Sequence, residues 1–186
     1  MVRVALVAAG ALLLAGDEVR LEIAVSGAVR LEIVEIAGTV AYGMRGGSAR
    51  WDVDLRLGNG ASLQWYGEPF VVSAGADVTR TTTAHLSTGC TAELRESLIL
   101  GRHGEPGGTL HTTTRAWLDD ELLLAEDLDL SPDARAGWAI LGPHRCLDTV
   151  TTLGFRLPAD AKTLQLQGTG SIARSLIHEQ HNSTLN

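Results

Sequence analysis

Carboxylates are the side chains of this sequence best suited to chemistry, and two of them follow strand-like runs. Glu68 and Glu105 are candidates for an acid–base pair of the kind that glycosidases use. Nothing in the sequence shows that the two converge. The chain has no Gly-x-Ser-x-Gly, Walker or His-Glu-x-x-His motif, so catalysis finds little support in the residues.

Metal-ligating side chains are scattered along the chain. They are His103, Glu105, His111, His144, Cys146, His178 and His181. Their spacing is not that of a closed structural site, so we expect no permanent metal. A transient site of oxygen and nitrogen donors stays open, with Glu96, Glu105 and His103 as its candidates. For His178 and His181 the alternative is a solvated terminal turn.

Glu96 interrupts an otherwise apolar strand face. Strand alternation places it on one side with Cys90, Ala92, Leu94, Leu98 and Leu100. One interpretation is a bulge or register slip that turns the carboxylate to solvent. The other is an inward carboxylate, which must then be paired, hydrated or shifted in pKa.

The overall charge excludes some partners. The 186 residues carry a net charge of −7 and include a single lysine, Lys162. No basic stripe is present that would suit nucleic acid or an anionic membrane surface, so neither is expected as a partner. Cys90 and Cys146 are too few for a disulfide framework, and we expect free thiols.

The N-terminal run MVRVALVAAGALLLAG has two interpretations. It has the charge and apolar stretch of a secretory signal peptide, but it is shorter than the ~20 apolar residues of a membrane span. The alternative is a buried strand, a turn at Gly10-Ala11 and a second strand entering Gly16-Asp17.

Alternating apolar and polar residues predict strands through most of the chain. Clear examples are Val19–Val25, Val29–Ile33, Val53–Leu57 and Ala61–Trp65. The turn Gly58-Asn59-Gly60 between two such runs predicts a β-hairpin. Similar turns, Gly27-Ala28, Gly60-Ala61 and Gly89-Cys90, recur about every 30 residues. This repeat predicts a stacked, solenoid-like sheet, with an ordinary β-sandwich as the alternative.

The pattern loosens after Ser131-Pro132-Asp133. The apolar stripe Ile172, Ala173, Leu176 and Ile177 predicts a C-terminal helix over about 170–180. Residues 168–173 (GTGSIA) match a dinucleotide turn only weakly, because no βαβ unit surrounds them, so no cofactor is expected there. The predicted fold is therefore one mainly β domain over 1–186. It has stacked antiparallel or mixed sheets of hairpin units and one or two short helices near the C-terminus.

Three segments resemble the UreD (also UreH) family of urease accessory proteins. They are AAGALLLAGDEVRLEI, LQWYGEPFVVSAGAD (63–77) and LRESLILGRHGE (94–105). The resemblance is strong over 1–130 and weaker over 131–186. The sequence departs from the family pattern at Ala11, where Gly is usual, and at Gly67, where Pro is usual. Family members also usually carry further N-terminal strands.

The resemblance implies a function without catalysis. UreD-like proteins are cytoplasmic β-rich scaffolds that bind apo-urease, UreF and, through UreF, the GTPase UreG. The resemblance further implies a dimer of this heteromeric complex. The complex delivers nickel to urease, so nickel would pass through in transit and no cofactor would be tightly bound. An internal water-filled path is the route proposed for the metal in this family.

The resemblance also directs attention to five residues. Glu96, Glu105 and Glu68 become candidates for the nickel path or for a partner interface, together with Arg102 and His103. Arg102 either orders Glu105, or a partner's carboxylate, through a bidentate pair or makes an ordinary surface ion pair. The apolar N-terminus and the turn repeat keep a second function open, that of a secreted β-solenoid or carbohydrate-binding module.

Overall fold

The computed structural model describes residues 1–58, 60–137 and 140–177, and its regular secondary structure is almost entirely strand. Its elements are β1 Val2–Leu6, β2 Glu18–Val25, β3 Arg30–Glu35, β4 Thr39–Ala41, β5 Ala49–Leu57, β6 Ser62–Val72, β7 Asp77–Leu86, β8 Thr91–Leu100, β9 Thr109–Leu118, β10 Glu121–Asp129, α1 Pro132–Arg135, β11 Cys146–Leu153, β12 Thr163–Gln165 and β13 Gly170–Ile177. The mainly β prediction is confirmed.

The strands form two stacked sheets. The first sheet has the order β1-β3-β6-β8-β11-β13-β12, with β4 also paired to β6. The second sheet has the order β10-β9-β7-β5-β2. The chain alternates between them, so β2, β5, β7 and β9 lie parallel in one sheet while β3, β6 and β8 lie parallel in the other. This is the predicted solenoid-like arrangement.

The hairpin predicted at Gly58-Asn59-Gly60 is wrong. β5, which ends at Leu57, belongs to the second sheet, and β6 begins at Ser62 in the first sheet. Gly60 has φ +76°, and the equivalent Gly27 and Gly89 have φ +74° and +83°. Each glycine thus turns the chain from one sheet to the other in a left-handed conformation that other residues rarely adopt. Period-two alternation shows which face is buried and does not show which strand is the neighbour.

The predicted C-terminal helix over 170–180 is also wrong. Gly170–Ile177 is β13, which pairs antiparallel with β11, and residues from 178 onward lie outside the described residues. Most side chains of β13 on both faces are buried. A strand buried on both sides has no clean alternation, so its apolar residues happened to match a helical spacing. The one helix among the described residues is Pro132–Arg135.

The N-terminal run contains one strand. Val2–Leu6 pairs in parallel with β3, and the second predicted strand before Gly16 does not form. The inner side chains Val2 and Val4 are 50% and 40% exposed, because the second sheet ends at β2 and has no strand opposite β1. Within the described ranges, no helix is long and apolar enough to cross a membrane.

The core lies between the two sheets. It is built of side chains that point inward from both, with Leu55, Leu63, Leu86 and Leu110 among the fully buried ones. Each such leucine contributes roughly 1.5–3 kcal/mol through burial. Cys90 and Cys146 are both buried.

Candidate functional site

A cavity of about 90 Å³ interrupts this core. Both sheets line it, and it has room for several water molecules. Its polar lining includes threonine hydroxyls and five charged side chains, Glu35, Glu68, Arg80, Arg95 and Glu96. Charges between two packed sheets are costly unless they are paired or hydrated, so this cavity is the candidate functional site.

Glu96 points inward, as one of its two interpretations predicted. It lies on β8 of the first sheet and meets Arg80, which lies on β7 of the second sheet. Arg80 Nη1 is 2.5 Å from Glu96 Oε1, and the two side chains are 14% and 37% exposed. The inward carboxylate is therefore balanced by an arginine from the facing sheet.

Arg80 is held mainly by charge and by packing. Its guanidinium lies over the Phe70 ring, 4.3 Å from the centroid, in a cation–π contact. Phe70 in turn meets Trp51 edge to face, with centroids 5.8 Å apart. Arg80 Nε and Trp51 Nε1 are both buried with no hydrogen-bond acceptor among the described residues. The two residues are neighbours in register on β7 and β5, so two unused donors lie side by side.

Glu35 is a second inward carboxylate. It accepts a hydrogen bond from Trp65 Nε1 at 3.0 Å and another from the Glu68 backbone N–H at 2.9 Å. Burial raises the pKa of the Glu35 carboxyl above its usual range, although these two hydrogen bonds and the charge of Arg80 oppose the rise. Glu35 therefore holds its proton more tightly than a solvated glutamate.

A bulge in β6 brings Glu68 to the cavity. The pairing of β6 with β8 shifts register between Tyr66 and Pro69. A Cβ on Gly67 would lie 2.5 Å from the Arg95 carbonyl oxygen, so the glycine permits a close approach of the two strands. Glu68 itself is exposed and lines the cavity, which places it at the opening.

Arg102, His103 and Glu105 lie elsewhere, in the loop between β8 and β9. Arg102 Nε and Nη2 donate to the two carboxylate oxygens of Glu105 at 2.9 and 3.2 Å, which is the bidentate pair predicted as one alternative. These hydrogen bonds, with one from the Arg102 backbone N–H, lower the pKa of Glu105 to about 2. His103 is exposed at the tip.

Two buried or half-buried arginines brace this loop from below. Arg135 donates to the carbonyl oxygens of Pro106 and Gly108, and Arg145 donates to those of Gly101 and Arg102. Because four backbone carbonyl groups of the loop accept hydrogen bonds from two guanidinium groups, the loop presents Arg102 and Glu105 in a fixed arrangement.

The predicted site residues therefore fall into two places. Glu96 and Glu68 line the cavity, whereas Glu105, Arg102 and His103 form a separate surface loop. Glu68 and Glu105 do not share a cavity, so the acid–base pair finds no support. Within the described residues, no group of three or more His, Cys, Asp or Glu side chains is placed to hold a metal ion. His178 and His181 lie outside the described residues.

Sequence reasoning missed Glu35 and Arg80, although the signal that revealed Glu96 also marks them. Glu35 continues the inward positions of Leu31 and Ile33, and Arg80 follows Val78 on the inward face of β7. A charged residue in register with buried apolar ones was visible in each case.

Comparisons with known proteins identify the class to which this solenoid with an internal polar cavity belongs. Residues 1–182 match the family model described as UreD urease accessory protein. The chain belongs to the UreD family of urease accessory proteins.

Curated relatives agree with this assignment. The chain is 45% identical over 177 residues to urease accessory protein UreD 1 of Streptomyces griseus, covering 94% of this chain and 69% of that protein. It is 37% identical over 154 residues to urease accessory protein UreD of Frankia casuarinae, covering 76% of this chain and 48% of that protein. The chain thus spans about half to two thirds of the length of these relatives.

Proposed function

We propose that this chain is a cytoplasmic, non-catalytic scaffold for nickel insertion into apo-urease. In this role it binds apo-urease and UreF, and through UreF the GTPase UreG, within a dimeric heteromeric complex. Nickel is the cargo and no cofactor is tightly bound. The observation that carries the proposal is the UreD family match across residues 1–182.

The chemistry of the cavity supports a cargo role. Its polar lining offers carboxylate and hydroxyl oxygens from Glu35, Glu68, Glu96 and several threonines, and no cysteine or histidine lines it in the part of the chain that the structure describes. Oxygen donors bind borderline cations such as Ni²⁺ more weakly than thiolates or imidazoles do. A lining of this kind lets a hydrated cation pass without retaining it.

The loop of Arg102, His103 and Glu105 suits a different part of the role. Arg102 and His103 are exposed, Glu105 is half-buried beneath them, and Arg135 and Arg145 fix the backbone of the loop. A rigid, charged surface loses little conformational entropy on association. We therefore assign these three residues to a protein interface and assign Glu96, Glu35 and Glu68 to the nickel path.

The alternative of a secreted β-solenoid or carbohydrate-binding module shares the fold, so the fold does not separate the two functions. The named relatives are urease accessory proteins, and this favours the scaffold.

The proposal is tested by urease activation in cells that make apo-urease, UreF and UreG but no other UreD protein. Adding this chain should produce urease activity. Glu96→Gln should lower that activity at equal protein level, since it removes a carboxylate from the path. Glu22→Gln is the matched control, because Glu22 pairs with Arg20 on the outer face and is 67% exposed. Equal activity with and without the chain would overturn the proposal.

A further inference from the structure

Arg80 is an unexpected residue to find in a cavity suited to cations. It extends from the second sheet into a space that Glu35 and Glu96 line from the first sheet. A guanidinium is always charged at neutral pH, so it repels any divalent cation that enters the same space. The cavity therefore carries its own cation.

Arg95, the other arginine that lines the cavity, does not pair with the cavity carboxylates. Arg95 Nη2 lies 3.2 Å from Asp148 Oδ2, and Asp148 is almost fully buried beside Ser97. The Arg95 guanidinium therefore pairs with the Asp148 carboxylate, which does not line the cavity. Arg80 is thus the inward arginine of the described residues that faces the cavity carboxylates.

Arg80 also has fewer aligned hydrogen bonds than Arg174, the arginine most like it. Arg174 also joins the two sheets, and both of its terminal nitrogens hydrogen-bond to the two oxygens of Glu126. Arg80 Nη1 is close to Glu96, but neither Nη1 nor Nε has an aligned hydrogen-bond acceptor among the described side chains and backbone. A bidentate pair is anchored by geometry, whereas Arg80 is anchored by charge and by the Phe70 ring.

We propose that Arg80 is the resident counter-ion of a two-carboxylate cation site formed by Glu35 and Glu96, and that it keeps this site closed to divalent metal until it moves away. In the closed arrangement, the positive charge of Arg80 neutralises the carboxylates in place of the metal ion. When the guanidinium leaves Glu96, that carboxylate becomes available to the incoming cation and its bound water, and Glu35, whose oxygens already accept hydrogen bonds from Trp65 and Glu68, adds its remaining lone pairs. Trp51 Nε1, buried and unpaired beside Arg80, stays as a donor to that water.

This inference rests on the proposed function, because it takes the metal to be the cargo of the scaffold. It adds a regulatory consequence. Any partner that offers Arg80 a better acceptor would open the site, and such a partner would couple its own binding to metal entry.

The experiment is calorimetric titration of the full chain with Ni²⁺ alone. Arg80→Met removes the charge and keeps most of the volume, and it should bind Ni²⁺ at least tenfold more tightly than the wild type. Arg80→Lys keeps the charge and should show no gain. Arg174→Met is the control for loss of a cross-sheet arginine outside the cavity, and it should also show no gain. Circular dichroism verifies that each variant is folded.

The gain must also depend on the two carboxylates. Adding Glu35→Gln and Glu96→Gln to Arg80→Met should return the affinity to the wild-type value. If Arg80→Met does not fold, Arg80→Gln carries the same expectation, because it is neutral and retains a polar end. Wild-type affinity in the neutral variant, or a gain that survives loss of both carboxylates, would overturn the inference. Failure to activate urease would instead overturn the cargo role and leave this binding result to stand alone.

Discussion

Arg80 and Glu96 face each other across the two sheets, with Nη1 and Oε1 2.5 Å apart. The inward neighbours of Glu96 on β8 are apolar, and Arg80 points into the same space between the sheets, so each charge needs the other as its partner. The pair connects the fold to the proposed role, since it stabilises the stacked sheets and also occupies the polar cavity.

Separating this pair should cost stability in a way that a double-mutant cycle can measure. We expect Glu96→Gln and Arg80→Met each to destabilise the protein, with a coupling energy of about 1–2 kcal/mol between them. The value lies below that of a fully buried pair, because Glu96 is 37% exposed and water screens the interaction. Urea denaturation of the wild type, the single variants and the double variant provides the four free energies of unfolding. Strictly additive effects would show that the two side chains do not interact.

Glu35 should make stability fall as the pH rises. Burial raises its folded pKa above the unfolded value, so the folded state holds the proton more tightly and is favoured at low pH. This contribution is present below the unfolded pKa, near 4.5, and is lost as the pH rises through the folded pKa. Glu35→Gln keeps an oxygen for Trp65 Nε1 and does not titrate. The wild type should therefore lose stability relative to this variant as the pH rises above 4.5, and a constant difference would contradict the assignment.

Glu105 should behave in the opposite way. Its hydrogen bonds from Arg102 lower its pKa to about 2, so its contribution to stability is present above pH 4.5 and is lost as the pH falls towards 2. The difference in Tm between the wild type and Glu105→Gln should shrink over that range. Thermal melts at half-unit pH steps measure it. The prediction fails if the difference in Tm is the same at pH 2 and pH 5.

The loop that carries Glu105 depends on its glycines to unequal extents. Gly104 and Gly107 have φ +79° and +73°, so alanine is strained at both positions. A Cβ at Gly104 meets open space, whereas one at Gly107 would lie 2.5 Å from the Leu100 carbonyl carbon. Gly104→Ala should cost about 1 kcal/mol, and Gly107→Ala should cost several kcal/mol because backbone must shift. Urea denaturation compares them, and equal losses would show that contact with Leu100 does not matter.

Local pattern predicted much of this molecule. Alternation located β2, β3, β5, β6 and β8, and the recurring turns at Gly27, Gly60 and Gly89 predicted a stacked sheet. The same alternation cannot distinguish a hairpin from a parallel coil, since both bury one face, and so the turn at Gly60 was assigned to the wrong connection. β13 was mistaken for a helix because burial on both faces removes the period-two signal.

The candidate site was predicted only in part, for a related reason. Glu96 stood out because the five other residues on its face of the strand are apolar. The same signal is weaker for the other two residues, because Arg80 has Thr82 as well as Val78 beside it on its face of β7 and Glu35 is the last residue of its strand. Their convergence on one cavity depends on the stacking of strands far apart in sequence, which local pattern does not contain.

The most direct test of the scaffold role is retention of partners. The tagged chain is purified from cells that also produce the apo-urease subunits, UreF and UreG, with an untagged chain as the control. We predict that UreF and apo-urease remain bound to the tagged chain through washing and gel filtration, and that UreG is retained only when UreF is present. If neither UreF nor apo-urease is retained, this chain is not a urease-maturation scaffold.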